Sequence, residues 1–281
     1  MAMRDILLQI DTYPEATSND ALDQAIRFAV AMDGLLSALA VEVEIQAPRN
    51  RLADYLIGLA HIAAEEERKS RRLCAAALEL FNTRAEAAGV LGQAIHGRAD
   101  LYSVGTYVAD ASRTRDLCIV PVADRFDGQR AILEAVAFGS GRPVLTFRPG
   151  VADLAAALNT IVLAWDGSRT AARALADALP ILGKAREVRI LTVINEKPTA
   201  RAGLGQDVRR HLEAHGVSAA VDEVDAGGRR IGQVFEDYLA GRDADLFVMG
   251  AYGRSRAREF ILGGATEHML HDPRVPLLLS H

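Results

Sequence analysis

Residues 245 to 266 read Asp245-Leu-Phe-Val-Met-Gly-Ala-Tyr-Gly-Arg-Ser-Arg-Ala-Arg-Glu-Phe-Ile-Leu-Gly-Gly-Ala-Thr266. Leu246 to Met249 is a short apolar run, partly β-branched, and predicts a buried strand. Glycines follow at Gly250, Gly253, Gly263 and Gly264, and Ala265 to Leu270 opens a helix. A strand that passes through glycines into a helix N-terminus suits an anion. Glycine lets the backbone come close, and the free N–H groups and helix dipole attract negative charge.

The spacing Gly250-x2-Gly253-x9-Gly263 resembles the nucleotide loop of the universal stress protein family. It is neither the Walker pattern nor the Rossmann G-x-G-x-x-G fingerprint. The resemblance implies that the loop holds the ribose and phosphates of ATP, and that Ser or Thr follows the last glycine. Gly264 stands at that place instead, removing a hydroxyl donor worth about 0.5–1.5 kcal/mol as one hydrogen bond. Thr266 or Ser255 could substitute for it. The competing reading is that the four glycines are only turn residues after a strand.

Working outward, the same pattern occurs twice. Asp116-Leu-Cys-Ile-Val-Pro-Val122 matches Asp245 to Ala251, and Ile6-Leu-Leu-Gln-Ile-Asp11 matches Ile161-Val-Leu-Ala-Trp-Asp166. After each of the latter pair comes a polar turn and an Ala-rich helix, Asn19 to Met32 and Ser168 to Leu179. Second strands follow at Leu36 to Val43 and Glu187 to Val193, and Arg142 to Phe147 matches Val275 to Ser280. Strands alternating with helices twice over predict two α/β units with mostly parallel sheets. Arg148-Pro149-Gly150 marks the boundary, giving domains 1–150 and 151–281, joined through Gly150 to Asn159.

The two halves differ in spacing. Asp11 to Asp116 spans 105 positions, against 79 from Asp166 to Asp245. Much of the excess falls in Pro48 to Phe81, where apolar residues recur at helical spacing. The run Glu65 to Arg72 reads as a solvated helix face with i,i+4 pairs. Where the second half has its glycine loop, the first half is four residues shorter. Pro121 there replaces Gly250 and has no N–H, while Asp124 and Asp127 would repel an anion. Any nucleotide is therefore expected in the second half.

Composition narrows the function classes. The chain has 281 residues, 50% hydrophobic and 25% charged, with formal net charge -5. No basic block suits a nucleic acid or an anionic membrane. Two cysteines, Cys74 and Cys118, fit a reducing compartment, and neither a cleavable leader nor a membrane-length apolar run is visible. A cytoplasmic location is expected.

The resemblance covers nearly the whole chain, most closely from Thr160 to His281. It implies two tandem Rossmann-like α/β domains, akin to the adenine-nucleotide α-hydrolases, packed as a pseudo-dimer. Strand Val144 to Phe147 would pair with Pro276 to Leu279 inside one molecule. A homodimer of tandem chains is also consistent with it. It implies further that Asp166 contacts the nucleotide near adenine or ribose, with Val193 and Met249 lining the base. Gly250, Gly253, Gly263 and Gly264, continued by Ala265 and Thr266, would cradle the phosphates of ATP, with or without Mg²⁺. Among the residues of the loop itself, Arg254, ranked ahead of Arg256 and Arg258, could neutralise them, the plainer reading being that these arginines are simply exposed. Plainer readings stand beside these. Asp166 can cap the helix after Gly167-Ser168, Val193 and Met249 can be core, and Trp165 can pack beneath the first helix. Asp11 fits a capping role. Gly227-Gly228-Arg229-Arg230 is a β-to-α loop with some anion-binding character.

No catalytic constellation is present in the sequence. The histidines lack ligand partners at zinc-site spacing, and there is no G-x-S-x-G or C-x-x-C. The expected function is nucleotide binding as a regulatory ligand in a stress response, with at most slow ATP hydrolysis. The alternative is an interaction or scaffold protein without nucleotide binding. An α-hydrolase enzyme is disfavoured, because such enzymes need a phosphate loop after the first strand.

Overall fold

The computed structural model describes residues 3–45, 59–123, 127–154, 158–195, 203–251 and 264–281. The first half runs β1 (Asp5–Ile10), α1 (Asn19–Ala31), β2 (Leu35–Glu44), α2 (Leu59–Ala87), β3 (Leu91–Asp100), α3 (Val104–Ser112), β4 (Leu117–Pro121), α4 (Asp127–Gly139) and β5 (Val144–Phe147). The second runs β6 (Thr160–Ala164), α5 (Arg169–Leu182), β7 (Glu187–Ile194), α6 (Leu204–Ala214), β8 (Ala219–Asp225), α7 (Ile231–Ala240), β9 (Leu246–Gly250), α8 (Gly264–His271) and β10 (Leu277–Ser280). The elements named from the sequence are present with their ends shifted by a few residues, and β3, α3, α4, α6 and β8 join them without having been named there.

All ten strands share one sheet, ordered β3-β2-β1-β4-β5-β10-β9-β6-β7-β8. Within each half the neighbours are parallel. The halves meet where β5 and β10 pair antiparallel, with Leu145 opposite Leu278. That pairing gives each half a partner for a strand edge that would otherwise be open to aggregation.

Side chains of successive strand residues point to opposite faces, so β1 sends Ile6, Leu8 and Ile10 one way and Leu7 the other. Both faces of the central strands are covered, which is why they are largely apolar rather than alternating, whereas the edge strands β3 and β8 carry polar, partly exposed residues. One core joins α1, α2, α5 and α6 to the sheet through residues such as Phe28, Phe81, Ala178 and Leu212. The other joins α3, α4, α7 and α8 through Val108, Leu133, Phe235 and Met269. Each core continues across both halves.

The connection after Pro149 is pinned at its start. Asp153 Oδ1 accepts the Gly150 N–H at 2.7 Å and the Gln24 amide at 2.8 Å. Gln24 Oε1 in turn accepts the Leu154 N–H at 2.6 Å.

Two local expectations change. Ser18, not Asp11, caps α1, its hydroxyl accepting the Ala21 N–H at 3.1 Å. Asp11 lies seven residues too early to reach those amides. The run Glu65 to Arg72 is not wholly solvated either. Glu67 accepts the Ile45 N–H at 2.8 Å, and Arg71 pairs at 2.7 Å with Glu42, whose side chain is 6% exposed. The periodicity identified the helix, but not that its charges reach back to β2. Pro48 to Gly58, within the segment expected to hold the excess, lies outside the described residues.

Candidate functional site

Each half has the strand order 3-2-1-4-5, with the chain leaving its first strand in one direction and returning on the other side at its fourth. Ligands in open parallel sheets bind beyond the strand carboxyl ends at such a reversal. In the second half it lies between β6 and β9, which are adjacent strands. Asp166 follows β6, and Gly250 ends β9.

Asp166 is exposed. Its carboxylate accepts the Ser168 N–H at 2.9 Å, and Ser168 caps α5 by accepting the Ala171 N–H at 3.1 Å. Gly167 between them has φ +73°, a left-handed conformation that a side chain would strain. The turn thus presents Asp166 to solvent and leaves the capping to serine. Val193, half-buried, and Met249, 4% exposed, both belong to the core face shared with α7 and α8. Gly264 starts α8, is exposed, and has open space where a Cβ would be. Ala265 is half-buried, and Thr266 is buried at 2%. Gly253, Arg254 and Gly263 lie outside the described residues, as does Ser255.

Gly250 has a reason to be glycine that involves no ligand. A Cβ there would stand 2.6 Å from the Thr170 carbonyl carbon and 2.7 Å from the Ala171 nitrogen. The end of β9 presses on the first turn of α5, and only a residue without a side chain fits.

Asn195 and Asp225, also at this edge, were not singled out in the sequence. Asn195 Nδ2 donates to Asp225 Oδ2 at 2.6 Å, and Asp225 Oδ1 accepts the Gly227 N–H at 2.7 Å. The Gly227 amide, then Asn195, holds the Asp225 carboxyl below its usual range. Gly227 and Gly228 both have positive φ, as the β-to-α turn reading requires.

The matching place in the first half is closed. Asp11 is 8% exposed, and its own N–H donates to Thr17 Oγ1 at 2.7 Å as residues 12–17 fold over it. Gln9 Nε2 donates to its Oδ1 and Gln129 Nε2 to its Oδ2, both at 2.7 Å. Burial pushes the Asp11 carboxyl up from its ordinary value, and the Gln129 and Gln9 hydrogen bonds oppose that. Neither glutamine stood out in the sequence, because an amide has no chemistry of its own to flag. The usable signal was Gln9-x-Asp11, two polar residues on one face of an otherwise apolar strand.

Elsewhere, His268 Nε2 lies 2.9 Å from Glu236 Oε2, an acidic partner in space that sequence spacing did not reveal. A Cβ on Gly232 would come within 2.4 Å of His268, so α7 and α8 are in close contact there. Trp165 packs against the core of the α5 face. No group of three or more His, Cys, Asp or Glu suited to a metal occurs among the described residues. No helix among them is long and apolar enough to cross a membrane.

Residues 158–281 match the universal stress protein family. Along nearly its whole length the fold is similar to that of a universal stress protein from Archaeoglobus fulgidus DSM 4304. The TM-score is 0.70 at 16% identity, covering 99% of this chain and 97% of that one. A putative universal stress protein from Pseudomonas aeruginosa UCBPP-PA14 aligns with TM-score 0.58 at 18% identity, covering 99% and 93%. A functionally unknown protein from Pseudomonas aeruginosa PAO1 aligns with TM-score 0.57 at 15% identity, covering 98% and 92%. At these identities the likeness is one of fold. No curated protein matches the chain.

Proposed function

We propose that this chain, whose residues 158–281 form a universal stress protein domain, binds ATP or a close adenine nucleotide in that half as a regulatory ligand. The observation that carries the reading is the solvent-open Asp166 at the β6–β9 reversal, beside the strand that leads into the glycine segment. Its carboxylate accepts only the Ser168 N–H among the described residues, leaving acceptor capacity for a ribose hydroxyl or an adenine amino group. Gly264, exposed at the start of α8, leaves the first turn of that helix open to an anion.

The reading extends to the chain's organisation. Units 1–150 and 151–281 act as the two members of a pseudo-dimer joined through β5 and β10, and only the second holds nucleotide. Turnover is at most slow, whether or not Mg²⁺ accompanies the ATP, and the protein works in the cytoplasm as a tandem chain or a dimer of such chains.

The test is the melting temperature of the protein with and without millimolar ATP-Mg²⁺, for the wild type, Asp166→Ala and Gly263→Val. A ligand that binds only the folded state adds about 2.7 kcal/mol at a hundred times its Kd. An upward shift in the wild type that shrinks in both variants supports the reading. Equal curves with and without nucleotide sink it. A second reading, an interaction protein without nucleotide, is favoured by Gly250, whose glycine is accounted for by packing on α5 alone. That reading predicts no shift in any of the three proteins.

A further inference from the structure

We propose that Gln129 is a built-in occupant of a first-half site that reads a planar edge bearing an N–H donor beside an acceptor. The carboxamide of Gln129 spans the reversal between β1 and β4. Its Nε2 donates to Asp11 Oδ2 at 2.7 Å, and its Oε1 accepts the Ala123 N–H at 3.1 Å. Asp11 follows β1 and Ala123 follows β4, two adjacent strands, so one amide bridges the crevice where parallel sheets take ligands.

The receiving groups are held from behind. Asp11 is fixed by Gln9 at Oδ1 and by Thr17 at its own backbone N–H. The strand leading to Ala123 is held by the Val122 N–H bonded to the Phe147 carbonyl at 2.9 Å. Gln9 is 1% exposed, and its Oε1 has no hydrogen-bond partner among the described residues.

The second half isolates what Gln129 does. The corresponding Asp166 is exposed, and no side chain from α8 reaches it among the described residues. Among the described residues, the same reversal is therefore filled from within in one half, while the other leaves its aspartate exposed. A carboxylate acceptor beside a backbone N–H donor fits two kinds of small molecule. One is a primary carboxamide such as nicotinamide, the chemistry of Gln129 itself. The other is adenine, whose amino group and ring N1 form the same donor–acceptor edge. Because Gln129 is tethered, its effective concentration keeps either out of the wild-type site. Gln129 is only half-buried, so the side chain can be removed without opening a core cavity.

This site lies in the half to which the proposed function assigns no nucleotide, so the two ideas fail separately. The experiment is calorimetric titration of the full chain with adenosine and, separately, with nicotinamide. It uses the wild type, Gln129→Gly, Gln129→Ser, and Gln129→Gly combined with Asp11→Asn. Whatever stoichiometry the wild type shows, the two single variants are expected to gain one binding equivalent for at least one compound. The Asp11→Asn combination is expected to lose it, and the compound that binds identifies the source of the edge. No gained equivalent in variants that melt cooperatively overturns the proposal. Loss of the fold in both single variants overturns it as well, since an occupant that can be displaced is not a structural prop.

Discussion

Asp116 and Asp245 do the same work in the two halves. Oδ2 of Asp116 accepts the N–H groups of Arg4 and Asp5 at 2.8 and 3.0 Å. Oδ2 of Asp245 accepts those of Asn159 and Thr160 at 2.6 and 2.8 Å. Each carboxylate stands just before a fourth strand and ties down the start of the first. The matched bonds establish the internal repeat at the level of atoms, where the sequence showed it only as a pattern. Asp116→Ala and Asp245→Ala should each lower stability by about 1–2 kcal/mol, the value of orphaning partly exposed donors. The double variant should lose the sum within about 0.5 kcal/mol in denaturant melts, since the sites share no partners.

Gly250 tests packing apart from ligand binding. Gly250→Ala places a methyl group 2.6 Å from the backbone of Thr170, and backbone cannot swing aside as a flexible side chain can. A loss of about 1–3 kcal/mol, typical of overpacking, should appear in thermal melts without any nucleotide present. An unchanged melting temperature would refute the close approach of β9 and α5.

The Asp11 carboxyl is raised by burial, so the folded state holds its proton more tightly than the unfolded chain does. Its contribution is therefore largest below the ordinary value of 3.8 and is lost as pH rises through the higher folded value. Asp11→Asn cannot ionise. Wild-type stability relative to this variant should fall as pH climbs from about 4 toward neutrality. Parallel stability curves over that range would contradict the assignment.

Asp222 has the opposite sign. The Arg189 guanidinium grips it with two bonds of 2.6 Å, Tyr238 also donates to it, and the Arg189 contact leads in holding its carboxyl down. Stability from this pair is present above 3.8 and is lost as pH falls through the lowered folded value. Arg189→Ala should cost on the order of 1–2 kcal/mol near neutrality, allowing for partial exposure. That difference should narrow in acid, as urea melts across pH would show.

Both cysteines should resist reagents. Burial pushes the Cys118 thiol up to about 12 and raises Cys74 as well. At pH about 8 the Cys118 thiolate fraction is roughly a thousandfold below that of a free cysteine. Iodoacetamide should leave Cys118 unlabelled in native protein, and label both cysteines once guanidinium unfolds the chain.

How much the sequence determined follows from the range of each interaction. Short apolar runs ending in Asp, the helix opened by Ser168, and the repeated Asp-strand units all depend on neighbours a few residues apart. The β5–β10 seam followed from the family resemblance, whereas the strand order within each half came from the fold. Asp166 was likewise legible, because an acidic residue closing an apolar strand stands out locally. Tertiary structure alone decided the rest. Gly250 reads in the sequence as part of a phosphate cradle, and only the fold shows α5 packed against it. Asp11 looked like a helix cap until Gln129, over a hundred residues away, was found on its carboxylate. Two strand ends with the same sequence signature leave Asp166 exposed and Asp11 buried among the described residues. The difference lies in which side chain the fold brings over each end, and no local pattern encodes a contact between distant residues.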